Sequence, residues 1–214
     1  MLKVWGRKTS SNVQAVMWCI AELGLPHERV DAGFKFGVVN TPDYLAMNPN
    51  GTVPTLVDGT NPPLWESGAI LRYLANMYAP ETFWPADPIA RAFVDQWAEW
   101  SKVNFTLSFT GPVFWRVVRT APSRRDPVAI RNALAALDKK LDIAEAQLAK
   151  TPYLAGPDLT LADIQFAHCL YRYFTIDIER RDRPVLTAYY NGLTDRAAYA
   201  EHVMISYEDL AVSD

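Results

Sequence analysis

Residues 64–74 read Leu64-Trp65-Glu66-Ser67-Gly68-Ala69-Ile70-Leu71-Arg72-Tyr73-Leu74, a short apolar strand that ends in an acid and a hydroxyl and then opens a helix. A helix N-terminus carries unpaired backbone N–H groups and the positive end of the helix dipole, so such a junction suits a carboxylate. Ser67 adds a hydroxyl donor there, and Glu66 beside it offers the opposite sign, which suits an ammonium. A ligand with an α-amino-acid end satisfies both. The same two residue types are also ordinary helix caps, and spacing alone leaves both readings open. Just upstream, Asn48-Pro49-Asn50-Gly51-Thr52-Val53-Pro54-Thr55-Leu56 forms a second punctuated run.

Outward from this junction, the chain towards the N-terminus alternates strand and helix. Leu2 to Gly6 reads as a strand, and the polar turn Arg7-Lys8-Thr9-Ser10-Ser11-Asn12 follows it. Val13, Val16, Met17 and Ile20 then fall at helical spacing, and Gly24 with Pro26 ends that helix. His27 to Asp31 is a second strand, and a strand–helix–strand unit favours parallel pairing. Val53 to Val57 and Pro63 to Trp65 are two further strands joined by Asp58-Gly59-Thr60-Asn61. After Ser67, the residues Ile70, Tyr73, Leu74 and Met77 share one helix face. An α/β unit therefore occupies residues 1–80.

Towards the C-terminus the composition changes. Ala79-Pro80 to Asp87-Pro88 is a proline-punctuated linker, and residues 88–214 show almost no strand pattern. One helix is expected from Ile89 to Arg119 with a kink at Gly111-Pro112, and a second from Val128 to Lys150. A third opens at Leu159-Thr160-Leu161-Ala162-Asp163-Ile164, a capping box with Asp163 in the place of the usual Glu and a Leu159/Ile164 staple. The expected architecture is an α/β domain over 1–80 and an all-helical domain over 88–214.

Of the 214 residues, 50% are hydrophobic and 21% charged, the balance of an ordinary globular protein. A net charge of -3 leaves no basic surplus to neutralise phosphates, which argues against a nucleic-acid partner. No apolar run reaches the length of a membrane span, and Met1 to Gly6 lacks a signal-peptide core. Cys19 and Cys169 lie far apart with no metal-ligand spacing, so no metal is expected and a reducing, cytoplasmic compartment is. Both read as small buried hydrophobes, and His27, His168 and His202 as structural. Arg124-Arg125-Asp126 and Glu179-Arg180-Arg181-Asp182-Arg183 mix both signs and read as solvated surface.

Asn48 to Leu56, then Trp65-Glu66-Ser67, then Gly156-Pro157-Asp158-Leu159-Thr160-Leu161-Ala162-Asp163, taken in that order along nearly the whole chain, closely resemble the cytosolic glutathione transferases, in particular bacterial, theta-like members that use a serine hydroxyl. The resemblance implies a thioredoxin-like N-terminal domain, a helical C-terminal domain, glutathione as co-substrate with no metal, and a homodimer. Val53-Pro54 matches the family's cis-proline step, where the valine backbone pairs with the cysteinyl part of glutathione. Glu66 and Ser67 match the pair that grips the γ-glutamyl end. Ser10 matches the hydroxyl that faces the sulfur, with Ser11 its neighbour and Asn12 matching an asparagine important in some relatives. Thr9 is the rival in another alignment, and all four are also plain N-cap material. Lys35, between Gly33-Phe34 and Phe36-Gly37, is a choice between a glycyl-carboxylate contact and a solvated loop.

The turn before the first helix holds neither cysteine nor tyrosine, which sets this chain apart from the cysteine-type and tyrosine-type members, and Thr52 stands where many relatives have Lys or Gln. Phe114, Trp115 and Arg116, beside Gly111-Pro112, are the candidates for the electrophile pocket, against the commoner reading of such aromatics as core. The implied activity is attack of a glutathione thiolate on a small hydrophobic electrophile. The alternatives are a glutathione-dependent peroxide or disulfide reductase, and a non-catalytic protein that binds glutathione or hydrophobic ligands.

Overall fold

The computed structural model describes residues 1–214. The first part of the chain contains β1 (Leu2–Trp5), α1 (Ser11–Glu22), β2 (His27–Val30), α2 (Pro42–Met47), β3 (Thr55–Asp58), β4 (Leu64–Trp65) and α3 (Ser67–Tyr78). Its strands form one sheet in the order β2-β1-β3-β4. β1 runs parallel to β2, across the α1 crossover, and antiparallel to β3, which is antiparallel to β4. This is the thioredoxin-like arrangement that the sequence implied. Val4 pairs with Leu56 and both are fully buried, so a slip of one residue would turn Val4 out of the core.

Val13, Val16, Trp18, Cys19 and Ile20 of α1 have no exposed surface. The helix touches α3 and also the C-terminal helices Leu161–Ala167 and Ala197–His202, so it is enclosed by both parts of the chain. Burying each large aliphatic side chain contributes about 1.5–3 kcal/mol. Gly6 is what lets β1 end so close to this helix, because a Cβ there would lie 2.4 Å from Val13 Cγ2. β3 starts at Thr55 rather than at Val53, since Pro54 has no N–H to give the ladder. α2 is an addition to the expected elements. It is too short to show periodicity, and it is fixed by Thr41, whose Oγ1 accepts from the Tyr44 N–H at 3.3 Å, and by Pro42 in the first helical turn.

The second part is helical. Helix α4 (Pro88–Trp100) starts on Asp87, whose carboxylate accepts from the Ala90 N–H at 2.8 Å. The chain keeps winding beyond it to Val118, with two wide π-type turns at Ser101–Thr106 and Thr110–Trp115. The expected break at Gly111-Pro112 is thus absorbed by the second wide turn. A widened turn accommodates a residue that lacks an N–H and whose ring crowds the preceding carbonyl. The helix Pro127–Leu148 starts on Asp126, which accepts from the N–H groups of Val128 and Ala129.

Leu161–Ala167 is buried on every side, and the Asp163 carboxylate in its first turn has no exposed surface. That carboxylate accepts from Leu154 N–H (3.0 Å), Thr160 N–H (2.9 Å), Thr160 Oγ1 (3.0 Å) and Tyr189 OH (2.9 Å). Burial raises its pKa, while these donors oppose the rise.

One apolar core joins the two parts, from Val4 through Trp18 and Phe105 to Tyr199. Polar clamps reinforce the joint. Arg72 of α3 holds Asp95 at 2.7 Å and Glu99 at 2.8 Å on α4, and Arg196 grips Glu22 at the end of α1 through two bonds. The reading of Arg183 as solvated surface is corrected. Its side chain is buried and pairs with Asp138 at 2.9 Å and Asp142 at 2.8 Å, one turn apart on the Pro127–Leu148 helix.

Candidate functional site

Strand register brings three separated stretches to one edge of the sheet. Trp5 pairs with Thr55, and Thr55 pairs with Trp65. The residues just beyond this row are the turn Gly6–Asn12 leading into α1, Val53–Pro54 entering β3, and Glu66–Ser67 opening α3. All the residues expected to handle glutathione, apart from Lys35, come from these three segments. The Val53–Pro54 peptide is cis.

Two helix N-termini face this edge, those of α1 and α3, and neither has an acid in its first turn. Ser10 is the N-cap residue of α1 by position, with an extended backbone at φ -89°, ψ 123°, but its hydroxyl makes no cap bond. Ser10 and Ser11 are both buried and neither side chain is used elsewhere in the chain, so their hydroxyls remain free to donate. Glu66 is likewise the N-cap of α3 without a side-chain cap bond, and its carboxylate is exposed. Its φ of +68° lies in the left-handed region, which costs a non-glycine residue about 1–3 kcal/mol and persists where surrounding structure imposes it.

Asn12 and Ser67, one at the head of each helix, meet: the Ser67 hydroxyl donates to Asn12 Oδ1 at 3.4 Å. A third residue joins them from the helical part. Lys102 Nζ donates to Asn12 Oδ1 at 2.8 Å and to Ser67 Oγ at 3.2 Å. Burial lowers the Lys102 pKa, opposed by the charges of Cys169, Glu66 and Glu99. Lys102 sits in the first wide turn, and no signal in the sequence pointed to it. A single lysine on an aromatic helix looks like a solvated face until the angle between the two parts is known.

A second cation lies behind the α1 turn. Arg172 is 4% exposed, donates from Nη2 to the Thr9 carbonyl at 2.8 Å and to Gln14 Oε1 at 3.2 Å, and has no carboxylate partner. Burial pushes its pKa down to about 10, so it remains charged at neutral pH. Lys35 takes a different position from these groups: its ammonium is paired with Asp209 at 2.5 Å on the exposed C-terminal segment. Of the pocket candidates, Trp115 and Arg116 are exposed, whereas Phe114 is fully buried. The Phe114 ring packs against Phe109 and Tyr207 beneath Arg172, so in this conformation it belongs to the core and offers no face to a ligand. A cavity of about 200 Å³ lined by Lys8, Gln14, Met17, Arg29 and His202 is a separate feature that includes none of Ser10, Asn12, Val53, Glu66 or Ser67.

The chain is similar to known proteins in sequence and in fold. The family model "Glutathione S-transferase, N-terminal domain" matches residues 1–76 and "Glutathione S-transferase, C-terminal domain" matches residues 127–192. Over 206 residues the chain is 37% identical to glutathione S-transferase GstB of Escherichia coli K12, covering 96% of this chain and 99% of that protein. This chain belongs to the glutathione S-transferase family. It is also 36% identical over 213 residues to glutathione S-transferase 3 of Zea mays, covering 94% of this chain and 93% of that one. Among solved structures, the theta class glutathione S-transferase of Xanthomonas axonopodis pv. citri, crystallised with glutathione bound, superposes with a TM-score of 0.90 at 42% identity, covering 96% of this chain and 98% of that one. The thioredoxin-like domain followed by a helical domain is therefore the glutathione S-transferase fold, as the motif order implied. No helix is long and apolar enough to cross a membrane.

Proposed function

We propose that this glutathione S-transferase binds glutathione along the sheet edge and activates its thiol through Ser10 for attack on a small hydrophobic electrophile. The γ-glutamyl end lies at Glu66 and Ser67, its carboxylate on the α3 N-terminus and its ammonium on the Glu66 carboxylate. The cysteinyl backbone pairs with Val53 beside the cis peptide. The sulfur then lies at the head of α1. The observation that carries this reading is the Ser10 hydroxyl, buried at an open helix N-terminus and committed to no other partner.

The energetics are adequate. A thiol of pKa near 8.5 is only about 3% ionised at pH 7, and lowering it by two units corresponds to roughly 2.7 kcal/mol. A hydroxyl donating to a sulfur anion supplies about 1.5–3 kcal/mol, and a helix N-terminus about 0.3–1 more. The unpaired Arg172 guanidinium, one carbonyl away behind Thr9, adds positive potential in the same direction. On binding, the thiol proton leaves to solvent. The thiolate then forms a carbon–sulfur bond, and the leaving group departs with the electron pair. Asn12 and Lys102 hold the two helix heads in register around the peptide.

The chain assembles in this reading as a homodimer. Ile89, Phe93, Val103 and Leu107 of the long helix are all large and exposed, an apolar surface that a second copy would cover. The free, buried Cys19 and Cys169 fit a reducing, cytoplasmic location. The test of the activity is a panel with glutathione against an aryl halide, a hydroperoxide and a mixed disulfide. Conjugation of the aryl halide is expected. Reduction of the other two without conjugation would favour the reductase reading, and tight glutathione binding with no turnover would favour a binding protein.

A further inference from the structure

Phe34 follows β2 in the short turn Phe34–Phe36, has φ +55° and is 53% exposed. Two guanidinium groups from different parts of the chain flank it. Arg7 Cζ lies 5.5 Å from the ring centroid and Arg119 Cζ 5.9 Å. Arg119 also lies 5.1 Å from the Trp115 ring, one turn back on its own helix. Neither arginine has a carboxylate within ion-pair distance, unlike Arg29, Arg72, Arg183 and Arg196. Arg7 is half-buried, its Nε has no hydrogen-bond partner, and both burial and the charge of Arg119 lower its pKa. Arg7 belongs to the turn that ends in Ser10, whose N–H donates to the Arg7 carbonyl at 3.1 Å. In a chain of net charge -3, the mouth beside the thiol site is thus cationic and aromatic, and its two cations repel each other with no anion between them.

We propose that the electrophile accepted by this site is an aromatic compound carrying a carboxylate, with the carboxylate held by Arg7 and Arg119 and the ring lying against Phe34 and Trp115. Guanidinium groups suit this task because their planar donors match a carboxylate and their faces stack on rings. The anion relieves the repulsion between the two arginines, and the aromatic walls orient the ring so that its reactive carbon meets the sulfur at Ser10. This inference rests on the transferase reading above and replaces its hydrophobic electrophile by an aromatic one that carries a carboxylate.

The test compares para-chloro-meta-nitrobenzoate with its neutral carboxamide. In both, the carbon–sulfur bond forms as the carbon–chlorine bond breaks and chloride leaves with the electron pair. Each kcat/KM is divided by the uncatalysed rate constant to remove intrinsic reactivity. The benzoate is expected to be preferred by about tenfold or more, in line with charge-assisted hydrogen bonds, and Arg7→Gln and Arg119→Gln should each remove most of that preference. Equal treatment of the two substrates by the wild type, or a preference that survives both substitutions, overturns the proposal. So does a loss of glutathione affinity as large as the loss of preference, which would assign the arginines to the glycyl carboxylate of glutathione. If neither compound nor a dinitro aryl chloride is conjugated, the transferase reading itself fails. Calorimetry of meta-nitrobenzoate against meta-nitrobenzamide on the glutathione-loaded protein then still decides the carboxylate site, since equal affinities overturn it.

Discussion

Replacing Lys102 by methionine separates a binding role from a structural one. Its ammonium bonds to Asn12 Oδ1 at 2.8 Å and to Ser67 Oγ at 3.2 Å, and it enters the thioredoxin-like half from the opposite domain. Hydrogen bonds to a charged group contribute about 1.5–3 kcal/mol net. In the ligand-free protein much of that is offset, because burial already works against the ammonium and lowers its pKa. A methionine of similar length removes both the bonds and the desolvated charge, so the melting temperature should move by no more than about 3 °C, the shift expected for roughly 1 kcal/mol in a chain of this size. In the proposed binding mode glutathione changes the balance, since a γ-glutamyl carboxylate at Ser67 would place a negative charge against Nζ. Removal of the ammonium should then weaken binding by about 1.4–2.7 kcal/mol, a ten- to hundredfold rise in Kd. Calorimetric titration of both proteins with glutathione, alongside melting curves without it, measures the two effects separately. A Kd within about twofold of wild type refutes the reasoning, and so does a variant that fails to fold without ligand.

Ser10→Ala should leave glutathione affinity nearly unchanged, raise the pKa of the bound thiol by one to two units and lower conjugation at neutral pH by about ten- to hundredfold. Ultraviolet titration of the thiolate decides it, and a shift in Thr9→Ala or Asn12→Ala but not in Ser10→Ala moves the role to that residue. His168 is buried, bonds only to the Ile164 carbonyl through Nδ1, and has its pKa pushed down to about 3 by burial. Between pH 3 and 6.5 the unfolded chain therefore binds a proton at this site that the folded chain does not, so stability falls with pH there. The loss is about 1.4 kcal/mol per pH unit, or about 2 kcal/mol between pH 7 and pH 5. His168→Leu should lack this component in urea unfolding at the two pH values, and an unaltered pH dependence would contradict it. Light scattering should give twice the monomer mass of 24.1 kDa, and Phe93→Asp should shift the population towards monomer. A wild type that scatters only as the monomer at micromolar concentration removes the dimer.

The legibility of the chain followed the range over which each signal acts. The strand-to-helix junction at Leu64–Leu74 was readable because an acid and a hydroxyl precede an apolar repeat within a few residues, and the Thr160/Asp163 box was readable for the same reason. The cis step at Val53–Pro54 came from motif resemblance rather than from pattern. α2 was missed although Thr41-Pro42-Asp43 carries a cap, a first-turn proline and an acid, because six residues show no periodicity. The wide turns of the long helix were not legible, since apolar spacing reports a face and not the winding of the backbone. Lys102, Arg172 and the Arg7–Phe34–Arg119 cluster depend on residues about 25 to 160 positions apart, and except for Arg7 with Phe34, which share the first domain, only the packing of the two domains brings them together. Arg183 was misjudged for a related reason: its run of charges looks solvated until Asp138 and Asp142 arrive from another helix.

The wide turns at Ser101–Thr106 and Thr110–Trp115 have a consequence for how this scaffold can vary. Each relaxes the helical phase between the segments on its two sides. Deleting one residue from either turn would restore regular winding and swing the segment beyond it by about 100° around the helix axis. Trp115 and Arg119 would then face a new direction, while Ile89 and Phe93 on the upstream half kept theirs. The helix thus works as an indexable shaft. Its first half, with Ile89 and Phe93, can keep its facing, while insertions and deletions in the turns re-aim Trp115 and Arg119, the face proposed for the second substrate.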